Sequence, residues 1–248
     1  MRFFRNNPMV VLLIFYMAWQ SLNSGRFNNP GAWFMSMLTT IPAIIIGLSF
    51  HEFAHAKAAD MLGDDTPRNQ GRVTLNPLAH IDPIGIIALL FIGFGWGKPV
   101  QINPYNFKKR RRDSLIVDLS GVATNLILAV LFTAILSLLK PFQMEYFNYI
   151  VLGGEMTIGY LITEMVLAII SINIVLMVFN LLPIPPLDGF GVITEIFNLR
   201  KTNFYYKIYD KGFLILMVLI IFNVISRILV PTVSFIYKFL LQSFGIFS

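Results

Sequence analysis

The chain has 248 residues, 56% of them apolar and 13% charged, with 19 Lys and Arg against 13 Asp and Glu and no cysteine. Apolar residues gathered in long blocks between charge clusters exclude a soluble globular protein and put the chain in a bilayer, where about five to six spans leave no room for an extra folded domain. Without cysteine there are no disulfides or thiolate metal sites, so His, Asp and Glu are the metal ligands available.

Arg2 and Arg5 precede an apolar run at 9–19 that no small-residue cleavage site follows. It reads as a retained first span or, being short, as an interfacial helix. After a turn at 25–30, a second span is expected over about 32–59, bent near Pro42. Its last third carries His51-Glu52-Phe53-Ala54-His55. At ~100° per residue the two histidines share a helix face one turn apart, so both imidazoles can grip one zinc ion. Glu52, on the neighbouring flank, can take a proton from zinc-activated water as it attacks a carbonyl carbon. The motif is short enough to arise by chance, but two of the three histidines in the chain lie within it.

Residues 63–72 are polar and turn-rich. The apolar piece at 84–94 is too short to span as a helix and reads as re-entrant, with alternating flanks at 73–77 and 98–104 as short strands. His80 between them reads as a loop-ordering residue rather than a metal ligand. The basic run 108–112 abuts the third full span, 114–139, and there it is a topology signal rather than a nucleic-acid site. A turn at 140–154 leads to the fourth full span, 157–182, in which Glu164 is either a buried hydrogen-bonded carboxyl or part of a water pathway. The proline-rich stretch 183–189 breaks the helix. A last span follows over 213–241, kinked at Pro231, with Arg227 snorkelling or paired.

The fold class is therefore an all-α polytopic membrane protein with about five to six transmembrane helices, a re-entrant segment and short strands near the site. It forms a single domain over 1–248, with a core at about 32–210, an N-terminal span and turn at 1–30 and a C-terminal span at 212–242. Loops 2–5, 57–80, 98–112 and 200–211 hold nearly all the basic residues. That asymmetry places the N-terminus and the His-Glu-x-x-His end on the cytoplasmic side, with Asp188 at the same face. A catalytic zinc site takes three protein ligands, and Asp188 is the candidate for the third, with Gly189 giving the backbone freedom to aim it. Asp188 can equally be read as a turn residue or as the cap of a helix starting near Phe190.

Four motifs in order resemble the site-2 protease family of intramembrane zinc metalloproteases: His51 to His55, Asn76-Pro77-Leu78-Ala79-His80-Ile81-Asp82-Pro83, Gly95-Trp96-Gly97-Lys98-Pro99-Val100, and Asn180 through Pro183 to Asp188-Gly189. The resemblance implies a zinc-dependent endopeptidase with one zinc ion per chain on His51, His55 and Asp188 and with Glu52 as catalytic base. It implies a transmembrane-helix protein as substrate, the lipid bilayer as setting, and a bacterial or archaeal cell membrane as location. Asn180 matches a family asparagine near the active site; Asn173 and Asn125 are further candidates for substrate binding, although buried amides also serve as glue between helices. Where the family commonly has Gly-Pro, this chain has Gly121-Val122, which leaves the role of Asn125 open. No insert large enough for a PDZ domain, and no carboxy-terminal regulatory domain, interrupts the pattern. A transporter and an inactive pseudoprotease scaffold are the competing readings, the first lacking inverted repeats and the second contradicted by an intact motif.

Overall fold

The computed structural model describes residues 8–25, 27–92 and 95–246, so the expectations resting on Arg2, Arg5, Arg26 and Gly93 lie outside the described residues. The first helix, α1 (Pro8–Asn23), has 16 residues. At ~1.5 Å per residue it is shorter than a bilayer core.

Helix α2 (Pro30–Met61) runs for 32 residues. It starts where Asn29 Oδ1 accepts the Ala32 N–H at 3.1 Å and where Pro30, lacking an N–H, suits a first-turn position. Pro42 lies inside it without ending it. The segment expected to be re-entrant is a ten-residue helix, α3 (Pro83–Ile92). Its flanks are not strands: among the described residues the only pairing is an isolated antiparallel bridge between Ile81 and Gly97. The Lys98 N–H donation to the His80 carbonyl at 2.7 Å belongs to that bridge; beyond it the Val100 and Asn103 N–H groups are taken by the side chains of Glu52 and Asp64 rather than by a neighbouring strand.

Helix α4 (Arg110–Leu138) takes up part of the basic cluster, and the expected turn after it is a helix, α5 (Lys140–Leu152). Helix α6 (Ile158–Asn180) begins at Thr157, whose hydroxyl accepts the Tyr160 N–H at 3.1 Å. Helix α7 (Asp188–Phe197) follows the proline break. The last apolar stretch is two helices, α8 (Gly212–Ile221) and α9 (Val224–Ser243). The chain turns at Asn223, whose φ of 55° ends the helical run, whereas Pro231, where the kink was expected, sits inside α9.

Four of these helices, α2, α4, α6 and α9, are long and apolar enough to cross a membrane. Among the described residues the structure is thus mostly helical with four such helices and shorter apolar ones beside them. Helices α2, α4 and α6 pack pairwise on one another. Their core joins Val122, Ala129 and Leu136 of α4 to Leu167, Ile170, Ile174 and Met177 of α6, with Leu240 of α9 closing one side. Outward side chains such as Ile127, Leu131, Phe235 and Phe239 are large, apolar and exposed, as suits a surface solvated by lipid. The C-terminal end of α2, the N-terminal end of α4 and α7 gather at one end of this bundle.

Candidate metal centre

His51 and His55 lie in one buried stretch of α2. His51 Nδ1 is 2.6 Å from Asn125 Oδ1, and His55 Nδ1 is 2.7 Å from the Val117 carbonyl oxygen. Both partners are acceptors, so each Nδ1 must carry the proton and each Nε2 must present a lone pair. The orientation of Asn125 is itself fixed, because its amide nitrogen donates to the Gly47 carbonyl at 3.2 Å and to Asn173 Oδ1 at 2.8 Å. Asn173 in turn donates to the Ile169 carbonyl at 2.8 Å.

The two Nε2 atoms come within 3.0 Å of each other, and Asp188 Oδ2 lies 3.2 Å from one and 3.3 Å from the other. With both imidazoles neutral, three acceptors thus converge. Asp188 Oδ2 is buried without a hydrogen-bond partner. Such a cluster suits a cation held between its members. Tetrahedral zinc with bonds of about 2.0–2.1 Å has ligand atoms ~3.3 Å apart, so the spacing suits zinc without rearrangement. These are the three residues whose ligand atoms form a candidate metal group among the described residues.

Helix α4 closes the back of the centre through a residue with no side chain. A Cβ on Gly121 would collide with His55 Nε2 and stand 2.6 Å from His51 Cε1. Helix α4 runs without interruption through the position where the family commonly has proline, and Gly121 lets it approach the imidazoles. Asp188 is the first residue of α7; the cap position is Leu187 and no side chain caps the helix, so the carboxylate is not engaged as a cap. Gly189 has an ordinary φ, and what it supplies is space, since a Cβ there would stand 2.6 Å from the Leu182 carbonyl oxygen.

Glu52 Oε2 accepts the Val100 N–H at 2.9 Å. Val100 belongs to an extended strap, residues 97–103, that crosses the site. The strap is tied down by the Arg72 guanidinium on the Ala79 and Lys98 carbonyls, by a 2.9 Å bond between Gln70 and Gln101, and by the Asn103 N–H donating to Asp64 Oδ2 at 2.7 Å. Beneath it opens a cleft of about 670 Å³ whose walls include Glu52, His55, Asp188, Asp118, Tyr205 and Tyr209.

Asn125 and Asn173 are fully buried with their amides committed, so they brace His51 rather than reach the cleft. Asn180 donates back to the Leu176 carbonyl at 3.0 Å and is not among the residues lining the cleft. His80 is buried outside the cluster, its Nε2 donating to the Thr74 carbonyl at 2.7 Å. Glu164 is hydrogen-bonded to Tyr146 in the half of the bundle remote from the histidines. The Val100 contact and the approach of Asp118 escaped sequence reasoning. A carboxylate inside an apolar span was the available signal for Asp118.

A model of peptidase family M50 matches residues 39–223. The chain is 36% identical over 191 residues to a protein of Bacillus subtilis (strain 168) named "Putative zinc metalloprotease YwhC", covering 77% of this chain and 84% of that protein. It is 30% identical over 248 residues to one of Mycolicibacterium smegmatis (strain ATCC 700084 / mc(2)155) named "Putative zinc metalloprotease Rip2", covering 95% and 88%. No solved structure matches. The matched residues contain both histidines, Glu52 and Asp188 in the arrangement described above, and the chain belongs to peptidase family M50, the site-2 protease family of zinc metalloproteases.

Proposed function

We propose that this chain is an intramembrane zinc endopeptidase that hydrolyses a peptide bond within or near a transmembrane helix of another membrane protein. The observation that carries the reading is the convergence of three proton-free ligand atoms beside Glu52 in an apolar bundle. His51, His55 and Asp188 would hold one zinc ion per chain. Bound there, zinc supplies Lewis acidity, acidifying a water molecule and polarising a carbonyl.

Glu52 is the proton carrier. Its Oε2 is anchored by the Val100 N–H, which leaves Oε1 to accept a proton from the attacking water and return it to the departing amine nitrogen as the C–N bond breaks. Asn125 and the Val117 carbonyl hold the imidazoles in the Nδ1–H tautomer, so the ligand lone pairs are in place before metal arrives. The strap at 97–103 is extended, and a locally unwound substrate could lie along it as an added strand. This replaces the short strands expected from sequence with a single segment joined to its neighbour by one bridge. The basic-residue asymmetry supports a cytoplasmic position for this end of the bundle, in a cell membrane.

The test is Glu52→Gln in zinc-loaded protein reconstituted with single-span candidate substrates. Metal retained with cleavage reduced by ~10³-fold or more is the expected outcome. Cleavage at the unaltered rate would remove Glu52 from the mechanism.

A further inference from the structure

Asp118 is a carboxylate within the apolar run of α4 that the mechanism does not use. Its Oδ2 is buried and has no hydrogen-bond partner, although the side chain lines the same cleft as Glu52, His55 and Asp188. Space for it is reserved on the facing helix: a Cβ on Gly191 of α7 would stand 2.5 Å from Oδ2 and 2.7 Å from Cγ.

The charged groups that act on Asp118 are Asp188, His55, Glu195 and Arg200. Among the described residues none of them forms an ion pair with Asp118, although Arg200 lines the same cleft. His55 and Asp188 belong to the metal centre. Arg200 is committed to Glu195, its Nε 2.6 Å from Oε1, and its guanidinium lies 5.8 Å from the centroid of the Tyr205 ring. A half-buried carboxylate that lines a cleft without an ion-pair partner is placed to take a cation that arrives with a ligand.

We propose that Asp118 is a specificity-determining residue that binds a Lys or Arg side chain of the substrate beside the scissile bond. The inference rests on the endopeptidase reading and adds to it the chemistry of the substrate. Two features support a basic residue over a neutral donor. Tyr209, which is exposed and lines the same cleft, offers apolar and aromatic surface to a long aliphatic stem and its charged head, while Tyr205 is already stacked between Phe190 and Tyr209. Asp118 also lies six residues beyond Arg112 on α4, ~9 Å along the axis from the basic surface cluster. A transmembrane substrate presented at the cytoplasmic face carries its own Lys and Arg at about that level.

The experiment uses zinc-loaded Glu52→Gln protein in nanodiscs, titrated with fluorescein-labelled single-span Leu/Ala peptides bearing Lys, Gln or Glu at each of several flank positions. We expect Lys at one position to bind at least tenfold more tightly than Gln. Asp118→Asn should erase that preference, Asp118→Glu should restore it, and Asp118→Lys should turn it toward the Glu peptide. Equal binding of Lys and Gln peptides at every position, or a Lys preference that survives Asp118→Asn, would overturn the inference. The same peptides are offered to the zinc-loaded protein with Glu52 intact. Cleavage without any Lys preference sinks the role of Asp118 alone, whereas no cleavage of any peptide sinks the endopeptidase reading and this inference with it.

Discussion

Two aspartates near one end of the bundle, Asp64 and Asp188, are surrounded in opposite ways. Asp64 is fully buried and accepts four hydrogen bonds: from the Thr66 N–H at 3.1 Å, the Thr66 hydroxyl at 2.5 Å, the Asn103 N–H at 2.7 Å and the Asn106 amide at 2.7 Å. Asp188, its side chain 20% exposed, faces two imidazole nitrogens whose protons point elsewhere. A carboxylate met by donors is finished by the protein and serves structure. One met by other acceptors is unfinished and is a candidate for holding a cation. Burial alone does not separate them; the direction of the surrounding protons does.

The contrast can be broken most severely at the metal. Asp188→Asn replaces an anionic ligand by a neutral amide, and we expect zinc per purified chain to fall toward zero and cleavage to drop more than ~100-fold. Wild-type metal content in that variant would mean that another residue is the third ligand. Asn125→Ala acts one layer out. It removes the acceptor that fixes the His51 tautomer, and zinc affinity measured by competition with a chelator should weaken ~10–100-fold while the bundle stays folded.

Asp64→Asn tests the other aspartate. An amide group would then face at least one of the four donors, at a cost of about 1–3 kcal/mol, read as a lower unfolding temperature or faster proteolysis around residues 98–106. Zinc content should not change. A variant that lost zinc while the strap stayed protected would show that the two aspartates are not as separate as drawn here.

The smallest effect is in pH. Burial works against ionisation of Asp64, but the hydrogen bonds from Thr66, Asn103 and Asn106 outweigh it and hold the carboxyl below its ordinary range. A lowered folded-state pKa contributes stability that is complete above the ordinary carboxylate value and is lost as pH falls through the lowered one. Hydrogen exchange at the Asn103 amide should therefore accelerate only in that acid window. In Asp64→Asn the window should disappear.

Much of the metal centre was legible in the chain because its information is local. The spacing of His51 and His55 fixes a shared helix face, and the scarcity of histidine made the pair conspicuous. The expected strands failed because alternation predicts a strand only where a neighbour is free to pair. Here Val100 donates to Glu52 and Asn103 to Asp64, so pairing stops at the single bridge between Ile81 and Gly97. The expected turn at 140–154 failed for a related reason. Its helix, α5, packs against α6, and no local pattern in a polar, aromatic stretch announces such a partner.

By itself the sequence determined the membrane setting and the family and put forward His51, His55 and Asp188 as a candidate ligand set, since composition, periodicity and motif order are properties of one strand of text. Only the tertiary structure decided which protons point away from the metal centre, which glycine lets α4 approach it, and which carboxylate in the cleft is left without a partner. Those depend on helices α2, α4, α6 and α7 meeting at one end of the bundle. Contacts between residues as distant as His51 and Asn125, or Asp118 and Gly191, have no local signature to read.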